Sequence, residues 1–312
     1  MYKIANCQFY LIITPVIAFG SAESADICDR YTRNDIEPGR EERTFADIPN
    51  GTGLLWKIEN KSGGINYLFG TMHSQDRLIN RPPPPVRLAL AQSQVLVMEV
   101  IPDQEANQVF LDSIFFREQN RLRDLLDPSV YSRLQNQIID YGISRDEVSR
   151  IKPWAAFTLI GRPRPVRTPT LDAELMQTAV ALNKAIYGLE TMQEMVDTLE
   201  NISMQDQIEI LNDTVCNQAQ IIRDTWLLVQ LYMARDLAGI ARFNKQPHQD
   251  DAVFNRFMQR ILYDRNALML DRMDVYLSRG KAFIAVGAAH LPGKDGLLSG
   301  LARKGYKIAV VF

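Results

Sequence analysis

Two short motifs, Gly70-Thr71-Met72-His73 and Gly287-Ala288-Ala289-His290, repeat one pattern in which an apolar run is followed by Gly-x-x-His. The chain has 3 histidines in all, and these motifs hold two of them. A lone histidine in such a position is more often a buried residue bonded to backbone. The repetition favours function. The glycine lets the chain turn sharply or approach a neighbour closely, and the histidine three residues on can point back over the strand end. The third histidine, His248, lies in the polar stretch 244–251 and is expected to face solvent.

Two acidic residues end apolar runs in the same way. Val95 to Met98 runs into Glu99, and Ile186-Tyr187 runs into Gly188-Leu189-Glu190. A carboxylate at the end of a buried strand needs an arginine, a metal or a histidine beside it to offset desolvation. Glu190 has an ordinary alternative as a helix-capping acid. Arg265, followed by Asn266, lies in a helical stretch where a surface arginine is equally expected. Two histidines and a carboxylate suit a divalent ion such as Mn, Fe, Co or Zn. A metal-free alternative uses a histidine as general base with Glu99 orienting it. The sequence has no His-Glu-x-x-His, no Gly-x-Ser-x-Gly elbow and no P-loop. Ser74 follows His73 without the context of a nucleophile.

The elements that must position these residues follow from periodicity. Trp56 to Glu59 and Ile65 to Phe69 read as a hairpin around Lys61-Ser62-Gly63-Gly64. Val95 to Val100, Ala185 to Tyr187, Ala282 to Val286 and 307–312 read as further strands, the first of them a continuous apolar run broken only by Glu99. Helices are expected over 86–93, 104–116, 128–141, 153–160 and 171–183, as a bent pair over 205–243, and over 252–278. The order implies an α/β fold: a mixed, largely parallel sheet flanked by helices, with a large helical insertion between central strands. If the four strands are parallel neighbours, their carboxyl ends bring two imidazoles and two carboxylates together, where open α/β sheets bind ligands.

The chain has 312 residues, 46% of them hydrophobic, with a formal net charge of -2. That composition supports a sizeable core and offers no global signal for nucleic acid or an anionic membrane. Lys3, the apolar run from Phe9 to Phe19 and the small residues Gly20, Ala22 and Ser24 read as a cleavable signal peptide over 1–24. This predicts a periplasmic or secreted protein with no stable membrane span after cleavage. Residues 25–52 read as a poorly ordered lead-in, and 53–312 as a single domain. Cleavage removes Cys7 and leaves Cys28 and Cys216, either a disulfide or two separate thiols.

The motifs Leu68-Phe69-Gly70-Thr71-Met72-His73, Val97-Met98-Glu99, Lys152-Pro153-Trp154, Gly188-Leu189-Glu190-Thr191, Arg265-Asn266 and Val286-Gly287-Ala288-Ala289-His290-Leu291-Pro292-Gly293 together resemble the TraB/GumN family, to which the Tiki proteases and pheromone-shutdown proteins belong. The resemblance spans about Leu54 to Phe312, with the motifs in family order. Met195 departs from it, standing where a glutamine is expected. The resemblance implies an erythromycin-esterase/ChaN-like fold and metal-dependent proteolysis with Mn or Co favoured. It also implies a site made of His73, Glu99, His290, Arg265 and Asn266, with Glu190 in a further motif. Three functions remain in view: a metal-dependent hydrolase acting on a peptide or small molecule, a binding protein that sequesters such a ligand in the same cleft, and a metal-free esterase-like enzyme.

Overall fold

A computed structural model describes residues 26–31, 48–117, 119–245 and 251–312. The expected signal peptide at 1–24, most of the lead-in and His248 lie outside the described residues. Six strands form one sheet in the order β4-β3-β5-β2-β1-β6: β1 (Leu55–Glu59), β2 (Ile65–Thr71), β3 (Val95–Val100), β4 (Ala185–Glu190), β5 (Ala282–Gly287) and β6 (Lys307–Val310). The four strands β4, β3, β5 and β2 are parallel, while β1 is antiparallel to both of its neighbours. This is the mixed, largely parallel α/β sheet expected from the sequence.

Local chemistry accounts for the element boundaries. In the β1–β2 turn, the Asn60 carboxamide oxygen accepts from the backbone N–H of Ser62 at 3.1 Å and of Gly64 at 2.7 Å. Prolines open α1 (Pro84–Gln92), α3 (Pro128–Gln137) and α5 (Pro153–Ile160), where a missing N–H costs nothing. Side-chain acceptors cap α2 (Gln104–Ser113), α4 (Arg145–Val148), α6 (Leu171–Ala181), α7 (Met192–Glu200), α8 (Met204–Met233) and α9 (Leu237–Phe243). The chain continues through α10 (Asp251–Met258), a π-helical stretch (Gln259–Asp264), α11 (Arg265–Leu277) and α12 (Leu297–Arg303).

Two details differ from the periodicity reading. Strand β4 runs on through Gly188 to Glu190, because its pairing with β3 continues to Val100↔Glu190. Gly70 and Gly287 lie inside their strands rather than after them. The expected bent pair over 205–243 is found as α8, two helical halves meeting at a kink at Asn217 (φ -112°, ψ 16°), with the short α9 after it. At that break the Asn217 amide donates to its own helix at Asp213 O and to Tyr31 O at 2.7 Å. Side-chain insertion of this kind is a recognised cause of helix bending.

The core has two parts. Leu68, Phe69, Leu96, Val97, Phe283, Ile284 and Val286 are fully buried on the sheet. Phe110, Trp154, Phe157 and Phe257 anchor a second cluster among the helices. This helical lobe draws on both crossovers, α2–α5 between β3 and β4 and α7, α8 and α10 between β4 and β5, so the large insertion arises from two connections. The Lys152-Pro153-Trp154 motif belongs to it: Trp154 stacks edge-on against Phe110 with ring centroids 5.9 Å apart. Cys28, in a short 3₁₀ turn at Ile27–Tyr31, forms a disulfide with Cys216 on α8, settling the pairing the sequence left open.

Candidate active site

The site is built where β4, β3, β5 and β2 end. Strands β2 and β5 are neighbours in register, with Gly70 opposite Val286 and Thr71 opposite Gly287, so the two Gly-x-x-His segments leave the sheet side by side. Gly70 leaves no room for a side chain, and Gly287 packs closely against the site. A Cβ on Gly70 would stand 3.1 Å from the Ala288 Cα and 2.8 Å from a Leu291 methyl. A Cβ on Gly287 would stand 3.3 Å from the His290 ring and 3.6 Å from Glu99 Oε2.

Around His290 a buried charged cluster forms. Glu99, Glu190, Arg265 and His290 are between 4% and 6% exposed, so their charges are out of water and must be satisfied within the fold. The Arg265 guanidinium does most of this. Its Nε donates to both Glu190 oxygens at 3.1 Å, its Nη2 to Glu190 Oε2 at 2.6 Å and to Glu99 Oε1, and its Nη1 to the Ile261 carbonyl at 3.1 Å. Arg265 therefore bridges two carboxylates from neighbouring strands, a use suited to its planar fork. Glu190 does not cap α7. Thr191 and Glu194 form that capping box, leaving Glu190 for Arg265.

Glu99 has a second anchor. Its Oε2 accepts from the Gly287 N–H at 3.0 Å. Burial pushes the Glu99 carboxyl up, but the Arg265 charge, His290 and these hydrogen bonds outweigh it and hold the group at about 2. Glu190 is raised, chiefly by burial, with Arg265 opposing. His290 is lowered to about 4 by burial, against the pull of Glu99. At neutral pH Glu99 is thus an anion and His290 a neutral imidazole.

The His290 tautomer follows from Asn266. The Asn266 amide nitrogen donates to the Asp295 carbonyl at 3.0 Å, so its oxygen is the acceptor for His290 Nδ1 at 2.7 Å. The proton sits on Nδ1, and the Nε2 lone pair faces Glu99 Oε2 at 3.9 Å. Two acceptors thus lie near each other, and among the described residues no side chain donates to both. That arrangement suits a cation.

His73, at the end of the adjacent strand, has an acidic partner from another helix. Its Nδ1 is paired with Asp172 Oδ2 at 3.2 Å. Nearby, the Tyr232 hydroxyl donates to the Gly70 carbonyl at 2.9 Å and is raised well above its usual range by burial and by the Asp172 charge. Among the described residues no three His, Cys, Asp or Glu side chains are gathered closely enough to hold an ion. The structure thus joins Glu99, Glu190, Arg265, Asn266 and His290 and sets His73 with Asp172 at the end of the adjacent strand. The donor set still fits a metal in kind: both imidazoles are held through Nδ1 by an oxygen, the arrangement that presents Nε2 to an ion. Thr71 Oγ1, also at the end of β2, is buried without a hydrogen-bond partner among the described residues.

Sequence reasoning missed Asp172 and Tyr232. Asp172 lies in the first turn of α6, where an acid is unremarkable, and its partner is 99 residues away. Its burial at 1% exposure is the signal, and only the fold reveals it.

Two open cavities flank the cluster. One of about 710 Å³ reaches Glu190 at the β3–β4 edge between α2, α7 and α11. The other, about 350 Å³, reaches Asn266 and Ala289 beside the loop 292–295. Among the described residues no helix is long and apolar enough to cross a membrane.

Comparison with known proteins finds relatives that align with most of this chain. Metalloprotease TIKI1 of Danio rerio is 23% identical over 88% of this chain and 67% of its own length. Metalloprotease TIKI2 of Danio rerio is 27% identical over 97% of this chain and 68% of its own. Metalloprotease TIKI1 of Homo sapiens is 24% identical over 82% of this chain and 61% of its own. The chain therefore spans about two thirds or less of the length of these curated relatives. No solved structure matches it. The sequence profile of the TraB/PrgY/gumN family matches residues 54–310, nearly the whole described domain, and the chain belongs to that family.

Proposed function

We propose that this protein is an exported, metal-dependent hydrolase acting on peptides, with His290, Glu99 and His73 as ligands of a divalent ion. The observation that carries this reading is the buried pair of acceptors, neutral His290 Nε2 and anionic Glu99 Oε2, facing each other 3.9 Å apart. Mn or Co is the first choice from the family resemblance, with Zn and Fe compatible with nitrogen and oxygen donors. A bound divalent ion supplies Lewis acidity toward a carbonyl and toward water.

The protein's own residues have separate tasks. Asn266 fixes the His290 tautomer. Arg265 holds Glu99 and Glu190 in place, and with its donors directed at carboxylates and a helix carbonyl it serves as a support rather than an oxyanion donor. Glu99 keeps its charge at working pH, as a ligand must. The disulfide between Cys28 and Cys216 supports export, since such bonds persist in oxidising compartments.

The test is elemental analysis of the purified protein with peptide cleavage assayed in Mn and Co. The expected result is one ion per chain, lost together with cleavage in His73→Ala and in His290→Ala. Full metal content in the double variant would defeat the assignment. One observation favours a second reading: His73 with Asp172 is also the pairing of a general base and its orienting acid. Cleavage that survives exhaustive chelation selects that metal-free hydrolysis.

A further inference from the structure

We infer that Asp172 is a positioning residue that fixes His73 as the Nδ1–H tautomer and so presents Nε2 to the site. The inference deepens the proposed function and rests on it for the identity of the bound group, but its own test does not.

Asp172 is buried, its side chain 2% exposed, in the first turn of α6. A carboxylate in such a place carries a desolvation cost that α6's own amides offset only in part. Its Oδ2 lies 3.2 Å from His73 Nδ1. A carboxylate accepts and does not donate, so this contact puts a proton on Nδ1, and in the neutral ring the lone pair is then on Nε2. The same end of β2 is tied down by Tyr232, whose hydroxyl holds the Gly70 carbonyl three residues before His73.

The arrangement parallels the neighbouring strand. There Asn266, on α11, accepts the hydrogen bond from His290 Nδ1. Here Asp172, on α6, accepts that from His73 Nδ1. Each Gly-x-x-His segment is thus served by an oxygen from a helix distant in sequence, and the two imidazoles share one protonation pattern. Such partners of metal-ligating histidines fix the ring and raise its basicity, and their removal lowers metal affinity by about 10–100-fold. An anionic partner on His73 and a neutral one on His290 make His73 the stronger donor of the two.

The experiment is histidine-selective 15N spectroscopy on the metal-free full chain, in which 3 imidazoles must be assigned. In the wild type His73 is expected to carry its proton on Nδ1. In Asp172→Ala the proton moves to Nε2, the form a free imidazole favours, while His290 is unchanged. Asp172→Asn keeps an acceptor oxygen and restores the wild-type form. Asp172→Ser, too short to reach Nδ1, replaces the alanine variant if that one does not fold. Mn or Co affinity should fall about 10–100-fold in the alanine or serine variant. A wild-type His73 protonated at Nε2, or an unchanged His73 in a folded Asp172→Ala or Asp172→Ser protein, overturns the inference. A wild-type protein that takes up no Mn or Co overturns the proposed function instead, and leaves Asp172 to be decided by the tautomer alone.

Discussion

Replacing Arg265 with methionine keeps an unbranched apolar stem and removes the guanidinium whose charge two buried carboxylates share. Glu99 and Glu190 are each about 5% exposed or less and both receive Arg265 Nη2. Breaking a buried pair by deleting one partner costs about 3–5 kcal/mol, because the charge left behind stays out of water. For a domain of this size that is a fall in Tm of roughly 6–20 °C. The penalty also carries a signature in pH. Without Arg265 both carboxyls are raised above their unfolded values, so the folded variant binds protons that the unfolded chain does not. The deficit against wild type therefore shrinks as pH falls, by about 1.4 kcal/mol per unit for each carboxyl that titrates in the window. Urea denaturation of metal-free Arg265→Met and wild type, at about pH 7 and pH 5, measures both effects. Adding Glu190→Gln should recover more than half of the loss, since the amide removes one of the two stranded charges. A deficit below about 1 kcal/mol, or one independent of pH, would refute a bridge that stabilises through charge.

Three further outcomes follow from the same geometry. Asn266→Ala takes the acceptor from His290 Nδ1, and titration with Mn or Co should show affinity reduced about 10–100-fold with little change in fold. Cys28→Ser opens a link across 188 residues and should lower stability by about 2–4 kcal/mol, read by denaturation against a reduced wild type, which should match it. In metal-free protein, His290 at about 4 lies below its unfolded value, so stability should fall as pH drops from about 6.5 toward 4. Glu99, held at about 2, extends the loss from about pH 4.5 downward. His290→Gln should abolish the upper part of this profile and keep the lower, as followed by denaturation across the range.

Much of the sheet was legible because a parallel strand buried on both faces reads as an apolar run, and Leu96 to Met98 and Phe283 to Val286 are such runs. The polar residue ending each run stood out by contrast, which made Glu99, Glu190 and the two histidine motifs readable before strand order was known. Arg265 and Asp172 were harder. Each lies on a helix where its type is ordinary, and each is made unusual only by burial against a strand end far away in sequence. The length of β4 was obscured by Gly188, which reads as a stop but is carried by pairing with β3. That His73 meets Asp172 depends on how α6 docks, and no local pattern encodes docking.

The π-helical stretch Gln259–Asp264 immediately precedes Arg265 and Asn266. An α-helix advances about 100° per residue, so one residue more or fewer before α11 swings every later side chain by that angle. Deleting a single residue from this stretch would restore regular winding and turn the guanidinium and carboxamide away from the sheet together. The angular setting of both groups is thus held by winding rather than by any one contact. A lineage that lost the extra residue would lose the bridge between Glu99 and Glu190 and would have to repack Met269, Met273 and Leu277 on the same helix.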